Sequence, residues 1–233
     1  MLVVPHHDLA AVLITAGLRA AIDEDDAPRR VVLVGVDHQH ASAWTAATSA
    51  RAWQLPDGLV HADIPSVQRA IASRRAGEDG ALLALEHSIA GLVPYVAAAA
   101  PGATLVPLAV RPNARLADVQ ALAEAIDPTH GADPGDDGTL IVAAVDFAHD
   151  LPPAQTAANG RTAARALAAL DDAAMGRWDD AFADGRGALR LAMALARRAG
   201  AVRWTPLAVT DSRSLPGWAG GGVTGYVVGC WGR

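Results

Sequence analysis

A single cysteine, Cys230, stands among 233 residues. No internal disulfide can form, and without a CxxC pair there is no structural zinc site of the finger type. One unpaired thiol fits a reducing compartment. Runs of lysine or arginine are also missing. Nineteen basic residues against 25 acidic ones leave a net charge of -6 and a pI near 5.7, which offers no electrostatic footprint to a phosphate backbone and argues against a nucleic-acid partner. No stretch approaches the roughly twenty consecutive apolar residues of a membrane span, so no membrane partner is expected. Met1 leads straight into LVVPHHD, without the basic start and small-residue cleavage site of a signal peptide. The expected location is cytoplasmic. G-x-S-x-G, GxGxxG after a strand, the Walker A sequence and H-E-x-x-H are all absent, which removes the commonest hydrolase, dinucleotide, nucleotide and zincin readings. No internal repeat is present.

Hydrophobic residues, by contrast, make up 52% of the chain, enough for a sizeable core, and one domain over residues 1–233 is the default at this length. Three aliphatic runs end in polar residues with chemical potential: Leu2–Val4 before Pro5-His6-His7, Val31–Val34 before Gly35-Val36-Asp37-His38, and Leu140–Val142 before Asp146-Phe147-Ala148-His149. Each reads as a buried strand opening onto a loop. Leu9 to Ile22 reads as a helix capped by Asp8. The alternation continues with a helix over Ser88–Ala100, a strand over Ala103–Val110 that contains Pro107, and a helix over Leu116–Ile126. The Pro-, Gly- and Asp-rich stretch from Asp127 to Gly138 reads as a loop. Two or three helices follow between Gln155 and Ala199, then strands over Ala201–Thr210 and Val223–Val228, joined by a flexible turn at Gly217–Gly222. The fold class is α/β. In such sheets ligands collect outside the carboxyl ends of the strands, where these runs deliver His and Asp.

Eight histidines are present, and His6, His7, His38 and His40 sit in the two loops that follow the first two strands. One histidine at a strand end is usually a hydrogen-bonded structural residue. Two imidazoles from separate strand ends with one carboxylate form the set that binds iron(II) and leaves positions open for substrate or oxygen. The nearby carboxylates are Asp37, Glu86, Asp146 and Asp211. Asp37 reads as an organiser of its own loop. Asp146 reads either as a partner that orients a histidine or completes the site, or as a turn or helix cap. His149, three residues on, reads as a general acid/base or as a surface loop histidine. Glu86-His87-Ser88 suits the first turn of a helix.

The order VPHHDLA (Val4–Ala10), VVLVGVDH (Val31–His38), W-x-x-P-x-G at Trp53–Gly58 followed by Asp63, EHSIAGLVPY (Glu86–Tyr95), LVPLAV (Leu105–Val110) and AAVDFAH (Ala143–His149) resembles the Memo-like family, also called AmmeMemoRadiSam system protein B. A final DSR and VTGYVVG resemble its last loop and strand. The resemblance implies a central mixed β-sheet sandwiched by helices, similar to class III extradiol dioxygenases, with a pocket of metal type. It places His6 and His38 at the two metal-ligand positions, His149 at the acid/base position and Asp146 at the aspartate beside it. Animal members carry a cysteine as third ligand, and that position falls on Ser212, beside Asp211. Asp211 is therefore the expected third ligand, with His7, Glu86, His87 and Ser212 as further pocket residues. Two other departures are Gly35-Val36-Asp37-His38 where the family has G-P-[SN]-H, adding a charge next to a ligand, and DFAH where it has DFSH or DFCH.

The implied function is a metal-dependent, dioxygenase-like oxidoreductase acting on a small molecule, with iron first and copper or zinc as alternatives. A second class is a non-catalytic protein that binds metal, ligand or peptide in that system, with AMMECR1-type and radical-SAM proteins as implied partners; without a CxxxCxxC cluster motif here, radical chemistry would belong to another chain. A hydrolase using a metal-activated water is the third reading.

Overall fold

A computed structural model describes residues 1–23, 27–127 and 138–232. The chain runs β1 (Leu2–Val4), α1 (Ala11–Ala21), β2 (Arg30–Val36), β3 (Ala46–Thr48), β4 (Trp53–Leu55), β5 (Gly58–Val60), α2 (Ile64–Ala72), β6 (Ala76–Glu78), α3 (Gly80–Leu85), α4 (His87–Ala90) and α5 (Val93–Ala99). It continues with β7 (Thr104–Val110), α6 (Leu116–Ala125), β8 (Thr139–Ala144), β9 (Phe147–Leu151), α7 (Pro153–Ala168), α8 (Asp172–Met175), α9 (Arg186–Arg198), β10 (Arg203–Asp211) and β11 (Val223–Gly232).

Nine of these strands form one mixed sheet in the order β10-β11-β1-β8-β2-β7-β3-β6, with β9 paired to β11. The middle four, β1-β8-β2-β7, are parallel, while β11 runs antiparallel to β1 and β3 antiparallel to β7. Parallel strands need cover on both faces, which is why their sequences read as unbroken aliphatic runs rather than alternating ones. Alternate residues divide between two cores. Val32, Val34, Ile141 and Val106 meet α2, α6, α7 and α9 on one face. Val31, Leu33, Val142 and Leu105 meet α1, α3, α4 and α5 on the other. Helices thus sandwich a central mixed sheet. Among the described residues no helix is long and apolar enough to cross a membrane.

Several expectations change in detail. Asp8 does not cap the first helix: the chain makes a 3-10 turn over Asp8–Ala10 with no side-chain cap before α1 begins at Ala11. The single helix expected over Ser88–Ala100 is two, because Pro94 at the start of α5 has no N–H to continue the bonding of α4. Pro107 is tolerated inside β7 because β3 pairs only as far as Ala109; the Pro107 carbonyl accepts the Thr48 hydroxyl instead. The loop expected at Asp127–Gly138 lies, apart from its two ends, outside the described residues.

α9 is docked by close backbone approach. A methyl group on Gly187 would lie 2.2 Å from the Arg111 carbonyl oxygen, and one on Gly185 would meet Val145 and Val36 at 2.6 and 2.8 Å. Gly187→Ala therefore forces the helix off the end of β7. We expect a loss of about 1–3 kcal/mol in chemical denaturation; an unchanged midpoint would show that the helix start can yield at no cost.

Candidate metal centre

Three neighbouring parallel strands end side by side, β1 and β2 flanking β8, and the residues just beyond their carboxyl ends are His6, His38 and Asp146. Asp146 sits between the two histidines. Its Oδ1 accepts the His6 backbone N–H at 3.1 Å, and its Oδ2 lies 3.9 Å from His6 Nε2 and 4.0 Å from His149 Nε2. A fourth segment closes over this edge. Asp184, just before α9, donates its N–H to the Asp146 carbonyl and accepts the Asp146 N–H at Oδ1, 3.2 Å away. Bonds from Ala148 N–H to the Phe182 carbonyl and a bridge between Phe147 and Ala183 hold this segment down.

Asp184 Oδ2 is the focus of the cluster. His6 Nε2 lies 3.2 Å from it, His149 Nε2 3.4 Å and His38 Nε2 3.5 Å. The far nitrogens are already committed. His6 Nδ1 donates to the Ala144 carbonyl at 3.2 Å, and His38 Nδ1 to Glu86 Oε1 at 2.7 Å. A hydrogen on each Nδ1 leaves a lone pair on each Nε2, directed at an anionic oxygen. Such a contact is repulsive unless a positive charge sits in it, either a proton on each imidazole or one cation shared by all.

Without a cation the charges settle as protons. Burial disfavours a charged His6, but Asp146 and Asp184 outweigh it and raise its pKa to about 10. His38 follows the same balance, burial against its bonds to Asp184 and Glu86, and rises to about 9. Asp184 is held well below the usual carboxylate range, burial notwithstanding, by His6 and by bonding to His149 and His38. Asp146 goes the other way, raised by burial and by the negative charge of Asp184 in spite of His6. The His149 pKa is raised, first by its contact with Asp184.

Glu86 fixes His38. Its buried carboxylate accepts from the His38 ring and backbone N–H, the Ser88 N–H and the Ser88 hydroxyl. Burial opposes its ionisation, yet these bonds, His38 first, pull its pKa down to about 2. Ser88 in turn bonds Val36 at the end of β2, so strand, carboxylate and imidazole form one frame. Among the described residues the geometry brings together two sets that could hold a metal ion, His6-His38-His87 and His6-Asp146-Asp184.

The Memo-like protein family model matches residues 1–216. The chain belongs to the Memo-like family. No curated protein matches it.

In this Memo-like chain six of the residues singled out from sequence come together: His6, His38, His87, His149, Asp146 and Glu86. Three do not. Asp211, expected as the third ligand, caps a 3-10 turn and is bound by Arg213, with Nε and Nη2 each 2.9 Å from its carboxylate; the carboxylate facing the imidazoles is that of Asp184. Ser212 is buried and accepts the Thr224 N–H. His7 is exposed, and its Nδ1 shares a hydrogen bond with the Tyr226 hydroxyl, 2.8 Å away. Asp37 adds no charge to the focus, because both its oxygens accept backbone N–H groups of its own loop, from Ala41 and Ser42. The position where the family has Ser or Cys before the histidine is Ala148, buried, at φ 56°. Asp150 on the other side of His149 has φ 52°, so His149 is presented from a backbone held in the left-handed region on both flanks.

Asp184 was not legible. It sits in a short Asp- and Gly-containing stretch with no histidine or aliphatic run beside it, and its only signal is an Asp-Gly pair before a helix. Glu86 was legible as a helix start, which it also is: its side chain caps α4 through the Ser88 N–H.

Glu86→Gln keeps the size of the side chain and removes its charge. Partners that orient a ligating histidine are worth roughly 10–100-fold in metal affinity, and we expect that loss in a titration with cobalt(II). An unchanged affinity would mean that His38 takes no part.

Proposed function

We propose that His6, His38 and Asp184, drawn from both of those sets, hold one divalent metal, iron(II) before copper or zinc, in a metal-dependent, dioxygenase-like oxidoreductase of small molecules. What carries this reading is the meeting of Nε2 atoms on Asp184 Oδ2 while each Nδ1 is bonded from behind. That is the outer-shell pattern of ligating histidines, a carboxylate behind one and a backbone carbonyl behind the other. Two imidazoles and one hard carboxylate suit iron(II) better than the softer ions. His87 belongs to one of the two sets, but its ring stacks on His38 with 24° between planes, and stacked rings send their lone pairs in parallel rather than to one point.

When bound, the metal supplies a Lewis acid and a redox centre at which a substrate oxygen and dioxygen can meet. The remaining work belongs to the chain. Glu86 and the Ala144 carbonyl fix which nitrogen of each ligating histidine is free. Asp146 spaces His6 from His149. His149 Nε2, buried without a well-aligned hydrogen bond, takes a proton from a substrate hydroxyl and returns it to the product. Cleavage of a dihydroxylated aromatic ring fits these parts: one ring C–C bond breaks, both oxygen atoms enter the product, and the ring supplies the electrons that reduce dioxygen.

The test is elemental analysis of protein purified without chelators, followed by oxygen uptake with a panel of catechols. Bound iron and uptake that disappears in His6→Ala and His38→Ala support the reading. Metal without uptake favours the non-catalytic alternative, a metal- or ligand-binding protein; the exposed His87 side chain, 60% accessible, suits a ligand that is held rather than enclosed. If affinity for added iron(II), copper and zinc were the same in both variants, the metal reading itself would be wrong.

A further inference from the structure

A cavity of about 550 Å³ opens between the β4–β5 hairpin and the junction of α5 with β7. It lies at the other edge of the sheet from the histidines. Thr104 in its wall pairs with Arg30 at the start of β2, whereas His38 follows the end of β2, paired at Val36 with Val110. Six residue steps of strand put about 20 Å between the two levels. The volume is within the range of small-molecule sites.

The walls stand ready without a ligand. Leu55 and Gly58 close a two-residue turn over Pro56-Asp57, and the Gln54 side-chain amide clasps it by donating to the Leu55 and Gly58 carbonyls at 2.8 and 3.4 Å. Opposite stand Pro94, Pro101 and the alanines of α5, which lose almost no side-chain freedom when a ligand lands on them. Leu59 on the hairpin wall is 53% exposed, apolar surface that a ligand can cover. Polar side chains are few. Among the described lining residues Asp57 supplies a carboxylate, His61 an imidazole and Thr104 a hydroxyl, and no lysine or arginine is present. The last turn of α5 adds carbonyl oxygens that lack intrahelical donors.

We propose that this cavity binds a small amphipathic cation, with an apolar body seated against the proline and alanine wall and a protonated amine directed to Asp57. An anion would meet the Asp57 carboxylate and carbonyl oxygens with only the His61 imidazole to set against them, whereas an amine gives the carboxylate the full positive charge that no lysine or arginine of the wall supplies. The proposal stands independently of the metal centre.

The test uses the full chain, labelled with nitrogen-15, titrated with three probes of equal length: 4-phenylbutylamine, 4-phenylbutanol and 4-phenylbutyrate. We expect the amine to shift amide resonances of Leu59, Ala98 and Gly102 and to leave Gly35 and Ala144 in place. The alcohol should bind about three- to fivefold more weakly, the scale of one solvent-exposed ion pair, and the acid more weakly still. Asp57→Asn should reduce the amine to the level of the alcohol without changing the alcohol. Ala98→Trp, at an exposed helix position, should block both, and Leu59→Ser should weaken both if the tryptophan variant folds poorly. Equal binding of amine and acid, amine affinity unchanged in Asp57→Asn, or shifts confined to the ends of β2 and β8 would each overturn the assignment.

Discussion

Asp184→Asn is expected to lower affinity for iron(II) or its cobalt(II) surrogate by about a hundredfold or more, while Asp211→Asn changes it by less than about threefold. The first figure follows from a lower bound: residues that only orient a ligand cost 10–100-fold when lost, and Asp184 Oδ2 is itself the atom on which three imidazole nitrogens converge. The second follows from geometry, since Asp211 is already occupied by Arg213 at the surface. Asparagine is the informative replacement, because its Oδ1 can still accept the Asp146 N–H that ties the α9 start to β8. Circular dichroism should show both variants folded. Equal losses in the two would return the third ligand to the Asp211–Ser212 loop.

Metal affinity should also climb steeply with pH. In the metal-free protein His6 titrates near pH 10 and His38 near pH 9, so at neutral pH both carry the protons that a metal must displace. Each displaced proton contributes a factor of about ten per pH unit. We expect apparent affinity to rise about a hundredfold per unit between pH 6.5 and 8.5, with about two protons released per ion in calorimetry, and to flatten above pH 10. His6→Ala should halve the slope on a logarithmic scale. Stability moves the opposite way without metal. Both pKa values are raised above the unfolded value near 6.5, so the charged imidazoles contribute stability that is fully present below that pH and lost as pH rises through 9 to 10. The melting temperature of the metal-free protein should fall over that window, and that of the loaded protein should not. A pH-independent affinity would mean that the two imidazoles are neutral in the metal-free state.

The sheet was readable because burial on both faces leaves β1, β2, β7 and β8 no choice but aliphatic residues, and such runs stand out. Histidines and aspartates at their ends are conspicuous against that background, hence His6, His38 and Asp146. Asp184 had no such background. It reaches the centre through backbone contacts with β9 and the docking of α9 on its glycines, and neither periodicity nor composition records a tertiary approach of that kind. Asp211 stood out for the converse reason: a carboxylate aligned beside a family ligand position is indistinguishable, in one dimension, from one engaged by the arginine two residues on. Asp8 likewise had the right type for a cap, but the 3-10 turn it occupies leaves the cap position to His7.

His38 and Asp184 are 146 residues apart in sequence, and most of the chain lies between them. An ion gripped by both would act as a rivet, fastening β2 to the segment that leads into α9. A ring closed over that many residues removes considerable freedom from the unfolded ensemble. With Asp184 as a ligand, the grip would also require α9 to have been synthesised and docked, so a nascent chain could hold the ion in this way only after that helix is made.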